Sequence, residues 1–122
     1  MHLITGGFAQ GKLEYAKKKY GIADSSVADA SSASVSEMEA ARLVCNLQDY
    51  IRLHHEGTSC ELPVFRRDAI IICDEVGYGV VPMDALERQY REAVGRICTK
   101  LAAFSSEVVR VVCGLGTVIK ND

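Results

Sequence analysis

Seven residues near the start of the chain carry the clearest chemical pattern: Gly6-Gly7-Phe8-Ala9-Gln10-Gly11-Lys12. They have the spacing of a phosphate-binding loop, in which glycines let the backbone wrap until several N–H groups point at phosphate oxygens. A helix starting directly after the loop adds its positive N-terminal end, and Lys12 can reach the outer phosphates as a compact charge. The next position ordinarily offers Mg²⁺ a Ser or Thr hydroxyl; here it is Leu13, whose isobutyl group ligates nothing. Gly6 through Leu13 are therefore expected to line the site of a nucleotide, with any metal held by other oxygens. Removing the Lys12 charge is expected to weaken nucleotide binding about tenfold or more, with little effect on folding.

A second group of chemical residues follows the most apolar run. Ile70-Ile71-Ile72-Cys73 leads directly into Asp74-Glu75, delivering two carboxylates to the C-terminal edge of a sheet. Ligands of open α/β sheets bind at that edge. Phosphate-loop enzymes use an acid there for Mg²⁺ and sometimes another to orient the nucleophile. Asp74 and Glu75 are the candidate metal ligands, and Lys12 and Glu75 the candidate catalytic groups. The three histidines offer less: His2 stands at the very start of the first strand with no partner to make it a ligand, and His54-His55 falls at a predicted helix end where imidazoles are ordinarily solvated. The five cysteines (45, 60, 73, 98 and 113) form no CxxC pair and have no histidine at zinc-finger spacing, so they read as free, mostly buried thiols.

These groups need elements to hold them. His2–Thr5 reads as a strand and Lys12–Tyr20 as a helix ending in lysines that complement its dipole. Residues 22–35, rich in Ser, Ala and Asp, read as a loop with a short strand near Val27. Ser36 and Glu39 have capping-box spacing, and Ala40, Leu43, Val44, Leu47 and Ile51 recur at helical spacing, which predicts one helix to about His54. After a polar loop, residues 69–73 read as a strand covered on both faces. Asp84 and Glu87 suggest another capping box, opening a helix whose stripe runs from Leu86 through Tyr90, Ala93, Val94, Ile97 and Leu101 to Phe104. Val108–Val112 and Thr117–Ile119 read as the last strands. The order implies a small α/β sandwich around a mainly parallel sheet.

Composition agrees with one domain over residues 1–122: 48% hydrophobic, 25% charged and a net charge of −2. That balance disfavours nucleic-acid binding, which depends on neutralised phosphates. No apolar run approaches the roughly 20 residues of a membrane span. The first residues lack the basic and apolar regions of a signal peptide, so a cytoplasmic location is expected.

Thr5-Gly6-Gly7 with Gly11-Lys12, and then Glu75-Val76-Gly77-Tyr78-Gly79-Val80-Val81-Pro82, resemble the adenosylcobinamide kinase/adenosylcobinamide-phosphate guanylyltransferase family. The resemblance continues through Arg88, Tyr90-Arg91-Glu92, Gly95-Arg96, Val111-Val112, Gly114-Leu115 and Lys120, covering residues 2–13 and 70–120. It implies a P-loop NTPase-like fold using ATP or GTP with Mg²⁺. It also implies a cobinamide-like alcohol as phosphoryl acceptor, and a second, guanylyl-transfer step through a histidine. Residues 22–68 are too short and too acidic to reproduce that family's longer middle section, and neither His54 nor His55 matches its histidine. Two readings stay open: a reduced enzyme that keeps the kinase step, and a nucleotide-binding or regulatory relative without the chemistry. A small P-loop kinase for another alcohol also fits. Arg88, Arg91 and Arg96 could face the nucleotide or a neighbouring subunit of a homo-oligomer.

Overall fold

His2–Gly6 forms strand β1 and Lys12–Tyr20 forms helix α1 in this computed structural model, which describes residues 1–76 and 84–122. The turn noted at Gly77–Pro82 lies outside the described residues. Strand β2 (Val27–Asp29) stands where a short strand is expected near Val27.

Residues 36–54 are not one helix. The chain makes helix α2 (Val35–Ala40), strand β3 (Leu43–Cys45) and helix α3 (Leu47–His54). Leu43, Val44 and Cys45 are all buried, so this short strand shows no polar alternation. Its apolar triplet, flanked by Ala40, Leu47 and Ile51, merely imitates a helical stripe. The capping box forms two residues earlier than expected. The Glu37 N–H donates to Ser34 Oγ (3.1 Å) and the Ser34 N–H donates to the Glu37 carboxylate (3.0 Å). Ser36 is thus already inside the helix, and Glu39 accepts the Val64 N–H at 2.7 Å.

Strand β4 (Ile70–Asp74), helix α4 (Ala85–Phe104), strand β5 (Glu107–Val112) and strand β6 (Leu115–Asn121) complete the chain. Asp84 caps α4 by accepting the Leu86 N–H at 2.7 Å. Glu87 forms no reciprocal box; its carboxylate pairs with Arg52 on α3. The apolar stripe of α4 is also shorter than its spacing suggests, because Leu86 and Phe104 at its ends are exposed.

The sheet runs β2-β3-β4-β1-β5-β6, parallel throughout except for β6, which pairs antiparallel with β5. Alternate residues of the central strands feed two cores. Leu3, Val44, Ile71 and Val108 meet Leu47 and Ile51 of α3 and Tyr90, Val94 and Ile97 of α4. Ile4, Leu43, Ile72 and Val109 meet Ala16 of α1 on the opposite face. Each such buried aliphatic side chain contributes roughly 1.5–3 kcal/mol relative to exposure. This is the expected P-loop NTPase-like α/β architecture, a mainly parallel sheet flanked by helices. Its C-terminal strand ends open on one edge.

Candidate functional site

Register brings the two sequence motifs together. Gly6 stands opposite Asp74 in the β1–β4 ladder, and the Glu75 N–H donates to the Gly6 carbonyl at 2.8 Å. Gly6 has φ 153°, and a Cβ there would lie 2.4 Å from the Val111 carbonyl oxygen, so no larger residue fits. Gly11 is left-handed with φ 83°. Ala9 is left-handed too (φ 56°), a strained conformation for a residue with a side chain and one that clusters at ligand sites. The tip is tied down from the β5–β6 turn: the Cys113 N–H donates to Gln10 Oε1, and the Gly114 N–H to the Gln10 carbonyl, each at 2.8 Å.

Lys12 is buried at the start of α1. Its Nζ donates to the Gly7 carbonyl at 2.6 Å and pairs with Asp74 Oδ1 at 2.7 Å. Of the two strand-end acids, Asp74 faces the loop lysine. Glu75 faces β5, where Arg110 binds its carboxylate in bidentate fashion (2.8 and 3.1 Å) and Thr5 Oγ1 approaches at 3.4 Å. Leu13 is half-buried against the α1-side core.

Phe8 through Leu13, Asp74 and Glu75 all line one cavity of about 630 Å³. Its far wall is α3, which spacing alone did not place there. The buried Gln48 uses its side-chain carbonyl to accept the Asp74 N–H at 3.0 Å, fastening the first turn of α3 to the end of β4. Asn46, Asp49 and Arg52 line the cavity from this side, and Tyr90 from α4. The Arg52 guanidinium lies 3.8 Å from the Tyr90 ring centroid and pairs with Glu87 at 2.9 and 3.2 Å. Burial, helped by the nearby charges of Asp74 and Asp29, holds the Asp49 carboxyl above its ordinary pKa. The sequence held one signal for this wall: Asp49 and Arg52 stand three residues apart, on one face of a helix.

The remaining candidates lie elsewhere. His54 stacks on Tyr50 at 4.3 Å, and His55 Nδ1 lies 2.9 Å from the Gly57 carbonyl. His2 stacks on Tyr20 at the opposite end of β1, and no histidine lines the cavity. Arg88 is exposed, Arg91 lies 3.8 Å from Glu87, and Arg96 pairs with Glu92 at 2.6 Å. All five cysteines are free. Among the described residues no three His, Cys, Asp or Glu groups converge to cage a metal, and no helix is long and apolar enough to cross a membrane.

Comparison with known proteins agrees with this architecture. The chain is 43% identical over 51 residues to the bifunctional adenosylcobalamin biosynthesis protein CobU of Salmonella typhimurium, covering 42% of this chain and 28% of that protein. The Escherichia coli protein of the same name matches with the same identity and coverage. The matched region thus spans little more than a quarter of these curated relatives. The family model for cobinamide kinase / cobinamide phosphate guanyltransferase matches residues 34–119, which takes in residues 34–68 of the middle segment that motifs alone left unmatched and begins after the Gly6–Lys12 loop. A match over that much of the chain, joined to a phosphate-type loop packed against strand-end carboxylates, shows that the chain belongs to the cobinamide kinase / cobinamide phosphate guanyltransferase family.

Proposed function

We propose that residues 1–122 form one nucleotide-binding unit that holds ATP or GTP on the Gly6–Lys12 loop and transfers a phosphoryl group to a cobinamide-like alcohol. The observation that carries this reading is the position of Lys12. Its ammonium is buried between the loop backbone and Asp74, where it can meet the outer phosphates of a nucleotide seated in the loop.

Mg²⁺ fits the site through one protein carboxylate. Mg²⁺ keeps several waters and commonly takes one or two carboxylates plus substrate phosphates. Asp74 supplies such an oxygen at the cavity, whereas both oxygens of Glu75 are engaged by Arg110. When bound, the ion would neutralise charge across the phosphates. Glu75 is accordingly a positioning residue that joins the ends of β4 and β5 beneath the loop.

Guanylyl transfer through histidine requires an imidazole in line with the α-phosphorus. Neither His54 nor His55 lines the cavity, His55 packing behind its Tyr90 wall with ring centroids 6.0 Å apart, so this reading assigns the chain the kinase step and not the second. The test is calorimetry with Mg-ATP and Mg-GTP, followed by intact-protein mass spectrometry after incubation with GTP. The expected results are nucleotide binding weakened at least about tenfold by Lys12→Ala, and no added GMP mass. Equal affinity in the two proteins would remove the nucleotide reading. A GMP adduct lost in His54→Ala or His55→Ala would restore the two-step enzyme. Binding without turnover on adenosylcobinamide would favour the non-catalytic relative.

A further inference from the structure

We infer that Asp49 takes the proton of the acceptor hydroxyl during phosphoryl transfer, an inference that rests on the nucleotide reading of the Gly6–Lys12 loop. Three observations support it. First, Asp49 is built into the site: Gln48 docks the first turn of α3 on the Asp74 backbone (3.0 Å), and Asn46 Nδ2 donates to Asp29 Oδ1 (3.1 Å) just before it. Lys12 of α1 and Asp49 of α3 line the same cavity.

Second, the carboxylates at the ends of β2 and β4 are engaged, and Glu14, which lines the same cavity from α1, is exposed to solvent and lies 3.8 Å from Lys17. Asp29 accepts from Ser31 and Asn46, Asp74 pairs with Lys12, and Glu75 is held by Arg110. The Asp49 carboxylate makes no hydrogen bond or ion pair among the described residues. Its oxygens remain available to a hydroxyl. Third, the surroundings suit proton acceptance. Burial raises its proton affinity, while Arg52, one turn along the same helix face, partly offsets this. The Arg52 guanidinium is itself fixed over Tyr90 and by Glu87, so this cation keeps its place beside Asp49.

The step balances within these groups. The acceptor oxygen forms a bond to the γ-phosphorus as the bond from that phosphorus to the β,γ-bridging oxygen breaks. The nucleoside diphosphate leaves, and the hydroxyl proton passes to an Asp49 carboxylate oxygen. An aspartate in this role matches the use of a carboxylate to accept a substrate hydroxyl proton in other phosphoryl transferases.

The experiment uses Asp49→Asn, with Mg-ATP or Mg-GTP as donor and adenosylcobinamide as acceptor. Nucleotide affinity is measured by calorimetry, and kcat and KM by phosphorylated product. The expected result is a kcat lowered about 100-fold or more, with the nucleotide Kd and the acceptor KM within about twofold of wild type. Should the amide variant not fold, Asp49→Ser is read in the same way. An Asp49→Asn protein that transfers at the wild-type rate overturns the inference and leaves nucleotide binding intact. So does one whose only change is weaker nucleotide affinity. A wild-type protein that binds nucleotide but does not phosphorylate adenosylcobinamide overturns it too. Absence of nucleotide binding by wild type removes the underlying reading, and is recognised separately by calorimetry.

Discussion

Lys12→Ala tests the site through folding rather than through activity. The Lys12 and Asp74 side chains are only 7% and 15% exposed, with Nζ and Oδ1 2.7 Å apart. Removing one partner of a buried ion pair leaves the other charge poorly solvated and costs about 3–5 kcal/mol when burial is complete. Asp74 keeps some contact with solvent, so about 2–3 kcal/mol is the appropriate figure. The sequence alone assigned Lys12 no part in folding; the ion pair gives it one. Asp74→Asn in the Lys12→Ala background removes the stranded charge and should recover at least about 1 kcal/mol, because contacting residues are coupled. The chain has no tryptophan, so far-UV circular dichroism in urea is the natural assay. With a slope of roughly 1–3 kcal/mol per molar urea, the Lys12→Ala midpoint should fall by about 1 M. A Lys12→Ala midpoint within about 0.3 M of wild type, or a double variant no more stable than Lys12→Ala, would refute the reasoning.

Two further outcomes follow from the same geometry. Asp74→Asn should weaken Mg-nucleotide binding at least about tenfold, whereas Glu75→Gln should change it by less than about twofold, because Glu75 is committed to Arg110. Leu13→Ser, which restores a metal-binding hydroxyl, should tighten Mg-nucleotide binding; titrations that are indistinguishable for all three variants would make both strand-end acids purely structural. Far from the site, the Tyr20 hydroxyl donates to Glu107 and Lys19 pairs with it at 3.0 Å, which holds the Glu107 carboxyl below its ordinary range. Its stabilisation is therefore present above the unfolded value of roughly 4.3 and is lost as pH falls through the lower folded value. Glu107→Gln should flatten the acid limb of a plot of stability against pH, and an unchanged slope below pH 4 would exclude this pair as its cause.

What the sequence determined by itself is local. A glycine-and-lysine loop between a strand and a helix, and an apolar run ending in two acids, are contiguous patterns. Backbone sterics and burial act on such patterns within a few residues, so β1, α1 and β4 were legible together with the loop and Asp74-Glu75. The β3 region was not, because Leu43-Val44-Cys45 is buried on both faces and its spacing to Ala40, Leu47 and Ile51 equals that of a helix stripe. Only the pairing of Leu43 and Val44 with Ile70 and Ile71 decides that this triplet is a strand. That pairing also decides the site's far wall. With β3 beside β4, α3 begins next to Asp74, Gln48 reaches the Asp74 backbone, and Asp49 and Arg52 come to line the cavity of Lys12. The partners of the two acids were likewise settled in three dimensions. Asp74 meets a lysine 62 positions away and Glu75 an arginine 35 positions away, distances in sequence over which no local preference acts and only the packed sheet brings charges together.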